Sequence, residues 1–585
     1  MPATSDPGNV PGAEEALLET SAECTVTVDN TQLRYSISQV RLEQHIDRHH
    51  DLTVTIKQVG EEAGRDGLLD PSEYRSLLGK SISVAVRPVG EHVDASRAGE
   101  FIGVVTRVTM LNSIDGVNTI LINAKSPTIA LDGARRNAFY REQSATDVIG
   151  AILQKYPITV GTVDSASGEL KYSVQYRETD FQYVMRLAGG AGMFAFYDGR
   201  EFRVVQPTSA DTEELVWRET LGSFALGLGA EQSEFATQLY NYEQKRNYDQ
   251  DTSSLPPGRS LSDMSQIAPD ASKEIFGDSS FSSSAHVVAD AQSLDTVLLR
   301  DRSRAMGRMI TCVGKSIVPN VAVGHTVRIA GLGQLEGEYL VRSVAHVLDE
   351  RGRYRNTFEC TPLDMAFPQA FSARPAITNL QTGVVVDNND PDQLGRLKVK
   401  FPWLESDETP WVRFMTLHAG EERGWYALPE IDDEVLVGYE FGSPDYPIVL
   451  GALYNSEAIP PADGPEAENN VKLFKTKGGN QITLKDKSGS EQISITTKDG
   501  DNSLVLDMSG PSISITSKGD ISIKGKNVKI ESEQEITVKA GSNAKIEASA
   551  NLETKAGANY KAQGAMMAVE GQGPVDIKGA IIKLN

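Results

Sequence analysis

From Pro511 to Ile546 the chain repeats a small two-aliphatic unit about every eight residues, and nothing else in the sequence restricts the fold so tightly. The pairs Ile513/Ile515, Ile521/Ile523, Val528/Ile530 and Ile536/Val538 each read apolar–x–apolar, the period of a strand with one buried face. Their second members continue as Ile515, Ile523, Ile530, Val538 and Ile546, at spacings of 8, 7, 8 and 8, with SKGD, KGKN, SEQE and AGSN as polar turns between. Repeats this regular point to a solenoid or a fibre. An eight-residue unit holds one strand and one turn, however, and presents only two aliphatics inward. Three chains winding together, each adding one strand per layer to a triangular prism, would supply the closure that a lone chain lacks. The expected trimer core is Ile513, Ile515, Ile521, Ile523, Val528, Ile530, Ile536, Val538 and Ile546. About a dozen layers at strand spacing would make a needle of roughly 50–60 Å. Upstream, Ile482/Leu484, Ile493/Ile495 and Leu504/Leu506 repeat every 11 residues with longer turns. There a β-meander is the alternative to an intertwined shaft.

Composition supports a separate C-terminal body. Residues 471–585 hold 16 Lys against 13 Asp plus Glu, about +3, while the rest of the chain carries about −26. The same stretch has two aromatics, Phe474 and Tyr560, too few to fill an ordinary globular centre. Over all 585 residues the net charge is −23, which argues against a nucleic-acid binder. No apolar run reaches the roughly 18 residues of a membrane span. The N-terminus MPATSDPGNVPGAEEALLE has no basic or apolar signal region, so synthesis in the cytoplasm without a signal peptide is expected. Cys24, Cys312 and Cys360 match neither a disulfide framework nor a zinc site. No cofactor or metal is expected.

Residues 376–457 read as a small barrel of about five short strands, such as Leu397–Phe401 and Glu434–Tyr439, between turns rich in Gly, Pro, Asn and Asp. Its marked residues are Gly395, Arg396, Phe401, Pro402, Trp403, Trp411, Trp425, Leu428 and Pro429. Aromatics on such a barrel can stack on bases, but Lys and Arg are not interleaved with them, so packing in the core or at an interface is expected. Upstream, CTVTVD, DLTVTI, SISVAV and FIGVVTRVTM alternate as strands. Ser144 and Thr179 open two helices, the second through a capping box with Gln182. Asp198-Gly199 reads as a hairpin turn, residues 246–285 as a long polar loop, 290–309 as a helix and 311–361 as a second β-rich block.

GRLKVKFPWL, WVRF and GWYALPEIDDEVLVGYEFGSPDYPIVLGALYN together resemble the OB-fold signature of contractile-injection-system spikes: the VgrG proteins of type VI secretion, contractile phage hubs and spikes, and the spikes of extracellular particles. FPWL and LPEIDDEVLV look closer to the extracellular and phage-like branch. YRETDFQYVMRLAGGAGMFAFYDG, Tyr176–Gly199, is similar to the hub segment of the same family. The resemblance implies a mainly β homotrimer. Its parts would be a flexible N-terminus (1–20), a hub of two β-barrels with connecting helices (21–375), an OB-fold barrel (376–457), a linker (458–470) and a triple-stranded β-helix needle (471–585). It further implies docking to an inner tube and baseplate, and piercing of a target membrane after sheath contraction. A PAAR-type tip protein would sit on Ile581, Ile582, Leu584 and Asn585, with effector cargo carried by other proteins, and the particle would be exported or released on firing or lysis. Some relatives insert a lysozyme between barrel and needle, or add a toxin after it. Only NSEAIPPADGPEAENN separates the two here, and the chain stops with the repeats, so a structural role without enzymatic activity is expected.

Apparent catalytic signals are weak. Gly314-Lys315-Ser316 and Gly79-Lys80-Ser81 lack the first glycine of a phosphate loop, with Met309 and Tyr74 in its place. AGGAG, Ala188–Gly192, reads as a helix end. His45, His49 and His50 cluster without HExxH. Glu430, Asp432, Asp433 and Glu434 read as a solvated turn. The rival reading is a phage- or cell-surface β-solenoid fibre that binds or cleaves glycans; the scarcity of aromatics after Val471 opposes it.

Overall fold

The computed structural model describes residues 18–583, apart from 34–35, 60–73, 91–92, 115–116, 167, 207–210, 257–258, 278, 282–290, 370–375, 405–406 and 462–465. The chain divides into two compact units, Met1–Ile459 and Pro460–Asn585. The expected N-terminal arm falls almost wholly outside the described residues, as do Leu584 and Asn585.

Eight strands of the first unit close into a ring. In order they are Thr20–Val28, Ser81–Val89, Gly99–Leu111, Val117–Lys125, Asp51–Val59, Ile37–His45, Gly337–Asp349 and Arg353–Pro362, which pairs back to the first through Thr20↔Tyr354. Closure removes the open edges that a flat sheet would expose. Alternate residues point inward, so Leu52, Val54, Ile56, Ile82, Val84, Ile120 and Ile122 are all buried.

Gly337–Asp349 and Arg353–Pro362 are long enough to serve twice. Beyond the first barrel they pair with Thr326–Ala330 and Ile310–Ser316, which in turn pair with Thr212–Val216 and Leu221–Leu228. The two outer strands meet at a Trp217↔Leu221 bridge. Along the shared strands the core changes hands: Leu348 and Tyr354 belong to the first core, and Val341, Val344, Phe358 and Cys360 to the second. Gly314-Lys315-Ser316 lies inside the strand Ile310–Ser316 rather than in a loop. A Cβ on Gly314 would sit 2.2 Å from the Phe358 ring, so close ring packing accounts for that glycine.

The helices Ala145–Leu153 and Asp180–Gly190 pack on the first core through Val148, Ile149, Ile152, Val184 and Leu187. Ser144 Oγ accepts from the Asp147 amide, and Thr179 with Gln182 forms the full capping box. The second helix ends at Ala191, with Gly192 at φ 76°, which accounts for the AGGAG run. Asp198-Gly199 turns the hairpin between Phe194–Tyr197 and Phe202–Val205, with Gly199 at φ 114°.

The region 246–285, expected to be loop, instead contains a strand, Arg246–Asp251, and a 14-residue helix, Asp263–Phe276. That helix buries Ser265, Ala268 and Ser272 and carries Pro269 in its interior, a residue that reads along the chain as a break. Its caps were visible all the same: Ser262 Oγ accepts from the Ser265 amide, and Gly277 closes the C-terminus at φ 66°.

Residues 381–452 form a five-stranded barrel in the order Lys398–Lys400, Gln381–Asp387, Glu434–Tyr439, Pro447–Ala452 and Arg413–Phe414. A Leu397↔Val412 bridge joins its ends around a core that includes Val385, Val399, Phe401, Val435, Val437 and Val449.

In the second unit, residues 471–517 take the meander arrangement. Five antiparallel strands, Val471–Lys475, Gln481–Lys485, Gln492–Thr496, Asn502–Asp507 and Ser512–Ser517, pair in chain order. Among the described residues no strand follows Ser517. Nor is any helix among them long and apolar enough to cross a membrane.

Candidate functional site

The register of the meander aligns its apolar residues in two columns on one face. Phe474, Ile482, Ile495, Leu504 and Ile515 are successive cross-strand partners, and so are Leu484, Ile493, Leu506 and Ile513. Cross-strand alignment of this kind normally marks the buried side of a sheet. Here that side is open: Ile513 is 71% exposed and Ile515 64%. Beyond the meander the octad aliphatics Ile521, Ile523, Val528, Ile530, Ile536, Val538 and Ile546 are also exposed, and Ile581 and Ile582 with them. A series of exposed aliphatics this long far exceeds the scattered ones that soluble surfaces carry. The expected core residues therefore share one surface of the chain in the meander and remain without apolar cover beyond it.

In the five-stranded barrel, the marked residues do local structural work. Arg396 is buried and grips Asp390 through two hydrogen bonds, Nη2 to Oδ1 at 2.7 Å and Nε to Oδ2 at 3.0 Å. Asp390 also accepts from the amides of Asp392, Leu394 and Arg396, which folds the loop around one carboxylate. The guanidinium holds the Asp390 carboxyl down at about 2. Gly395 lies in this loop at φ 71°, a left-handed position that suits glycine. Arg396→Ala should strand a buried carboxylate and cost about 3–5 kcal/mol. Urea unfolding of the variant checks this, with the paired change Asp390→Asn/Arg396→Leu expected to cost less.

Trp403 stacks on Phe401 at 5.1 Å and faces Tyr176 of the hub at 6.0 Å. Gln381 bridges the two, accepting from Trp403 Nε1 at 2.9 Å and donating to the Tyr176 hydroxyl at 2.6 Å. Arg141 pairs with Asp407, and the Val174 amide donates to Asp445, so hub and barrel are tied at several points. Trp411 lies under the Lys398 ammonium, Leu428 packs partly on the barrel core, Pro429 is buried, and Pro402 is exposed. Trp425 is 48% exposed, on a hairpin end.

The histidines do not converge. His45 ends a strand, His49 contacts Thr128 and Asp132, and His50 is buried with Nε2 3.3 Å from the His45 carbonyl. Burial lowers the pKa of His50 to about 3. Among the described residues no group of three or more His, Cys, Asp or Glu is arranged to hold a metal ion. Glu430–Glu434 is a reverse turn in which the Glu430 amide donates to Asp433 Oδ2. Sequence reasoning missed the Asp390–Arg396 buttress and Gln381, because both depend on which side chains the barrel brings inside.

Two barrels sharing long strands, followed by a five-stranded barrel and a repeat-bearing tail, define the class of hub proteins of contractile tails. Residues 46–352 match the phage tail baseplate hub (GPD) family, and residues 381–454 match the type VI secretion system/phage-baseplate injector OB domain. The chain belongs to the phage tail baseplate hub (GPD) family. It is 27% identical to the type VI secretion system spike protein VgrG1a of Pseudomonas aeruginosa over 55% of this chain and 55% of the relative. With VgrG1c of the same organism it shares 25% identity over 71% of this chain and 61% of the relative. The chain thus spans a little over half the length of these curated relatives. In fold it is similar to the structure of a Francisella PdpA-VgrG complex, with TM-score 0.55, 10% identity, and coverage of 86% of this chain and 89% of that one.

Proposed function

We propose that this chain is the hub-and-spike subunit of a contractile injection system and works as a homotrimer. The observation that carries the reading is the row of exposed aliphatics from Ile513 to Ile546, which recurs once per octad and lacks cover within its own chain. Identical chains have identical rows, so a threefold association covers all of them at once with matched register. In this reading residues 471–585 form the needle, 458–470 the linker, 376–457 the OB-fold barrel and 21–375 the hub.

The hub docks to the inner tube and baseplate, sheath contraction drives the tube, and the narrow needle concentrates that force on a small area of target membrane. A PAAR-type tip protein caps the C-terminal end around Ile581 and Ile582 and extends it by strand pairing; Leu584 and Asn585 lie outside the described residues. Cargo travels on other proteins, and the role of this chain is mechanical rather than catalytic. The family match across the hub and the OB domain supports a spike over a free-standing glycan fibre. Native mass measurement of the full chain tests the proposal: a species of three times 63.4 kDa is expected, with a threefold particle bearing a needle in electron micrographs. A stable monomer with its tail folded on itself would overturn it.

A further inference from the structure

Two of the three cysteines meet where the hub strands pair. Cys312 on Ile310–Ser316 stands directly opposite Cys360 on Arg353–Pro362. Both are free, and both are fully buried in the second hub core. Residues directly opposed on antiparallel strands have Cα atoms about 4.5 or 5.5 Å apart. Disulfides span Cα separations of about 4.4–6.8 Å, so a directly opposed pair lies within the range a disulfide bridges. The third cysteine, Cys24, stands opposite Val86 and packs against the first core instead.

We propose that Cys312 and Cys360 are a built-in disulfide site, reduced where the protein is made and closed by thiol–disulfide exchange with a small-molecule disulfide once it meets an oxidising compartment. The staple would join Ile310–Ser316 to a strand that both hub barrels share. In the exchange, one protein thiolate attacks the small disulfide, forming a mixed disulfide and releasing one small thiol. The second protein thiolate attacks the protein sulfur of that intermediate and releases the second small thiol. Two protein thiols are oxidised, one disulfide is reduced, and the two protons end on the released thiols. Burial pushes the Cys360 thiol well up, so the reaction runs through transient opening of the strand pair rather than on the closed barrel.

The test uses the full reduced chain and oxidised glutathione, over a urea series kept below the unfolding transition, followed by unfolding in excess alkylating agent and peptide mass mapping without reductant. The expected result is a Cys312–Cys360 linked peptide pair, at least a tenfold fall in alkylation of both residues, and Cys24 still alkylated. Recovery of Cys312 and Cys360 as alkylated residues throughout the series would overturn the proposal. So would glutathione carried separately on each, or a link made through Cys24.

Discussion

Removal of residues 511–585 is expected to leave a chain that no longer assembles as a trimer, while its first unit stays folded. The octad segment has every aliphatic exposed within one chain. Full burial of each such side chain is worth about 1.5–3 kcal/mol. Nine of them per chain, from Ile513 to Ile546, set against an association cost of about 4–15 kcal/mol, make this segment the main clamp. Sedimentation or mass photometry at micromolar concentration would read the change from trimer to monomer. The milder variant Ile521→Asp/Ile523→Asp places two charges in one layer of the seam, and should weaken assembly without shortening the chain. A truncated chain that remained a monodisperse trimer would move the clamp to the hub.

Acidification is expected to destabilise the hub well before its carboxylates are protonated. His50 and His346 are both buried, and burial lowers their pKa values from 6.5 to about 3 and about 4. His346 sits with Nδ1 2.6 Å from the Tyr354 hydroxyl and Nε2 3.4 Å from Gln44 Oε1. His50 packs beside Phe101 and Tyr197, with Nε2 3.3 Å from the His45 carbonyl. Such an imidazole takes its proton in the unfolded chain first. Its contribution is therefore complete above about pH 6.5 and falls away as the pH drops towards the folded values. At pH 5 the loss is about 2 kcal/mol for each histidine. Asp390 adds a separate loss lower down, below its ordinary 3.8 and through about 2, because Arg396 stabilises its charged form. Calorimetric unfolding at pH 7.5 and pH 5.0, with His50→Gln and His346→Gln for comparison, checks the slope. Equal stability at both pH values in the unsubstituted chain would show that these imidazoles are not held neutral.

Local periodicity carried much of this protein into view. The octads from Ile513 to Ile546, the OB wording around Trp403 and the capping box at Thr179 each depend on neighbours within a few residues, so they can be read along the chain. The helix Asp263–Phe276 escaped because Pro269 stands in its interior, where along the chain it reads as a break, although the fold keeps the helix continuous around buried Ser265, Ala268 and Ser272. Alternation in Gly337–Asp349 and Arg353–Pro362 announced strands with a buried side. It did not announce that one half of each faces one barrel and the other half a second.

By itself, the order of residues determined the mainly β character, the five-stranded barrel and the repeating aliphatic pairs from Ile513 to Ile546. Tertiary structure alone decided the strand sharing between the hub barrels, the Cys312–Cys360 contact, the Asp390–Arg396 buttress and the burial of His50 and His346. The physical reason is that a strand's pattern records which of its faces leaves water but not which partner meets that face. Partners dozens or hundreds of residues apart are selected only when the whole sheet closes.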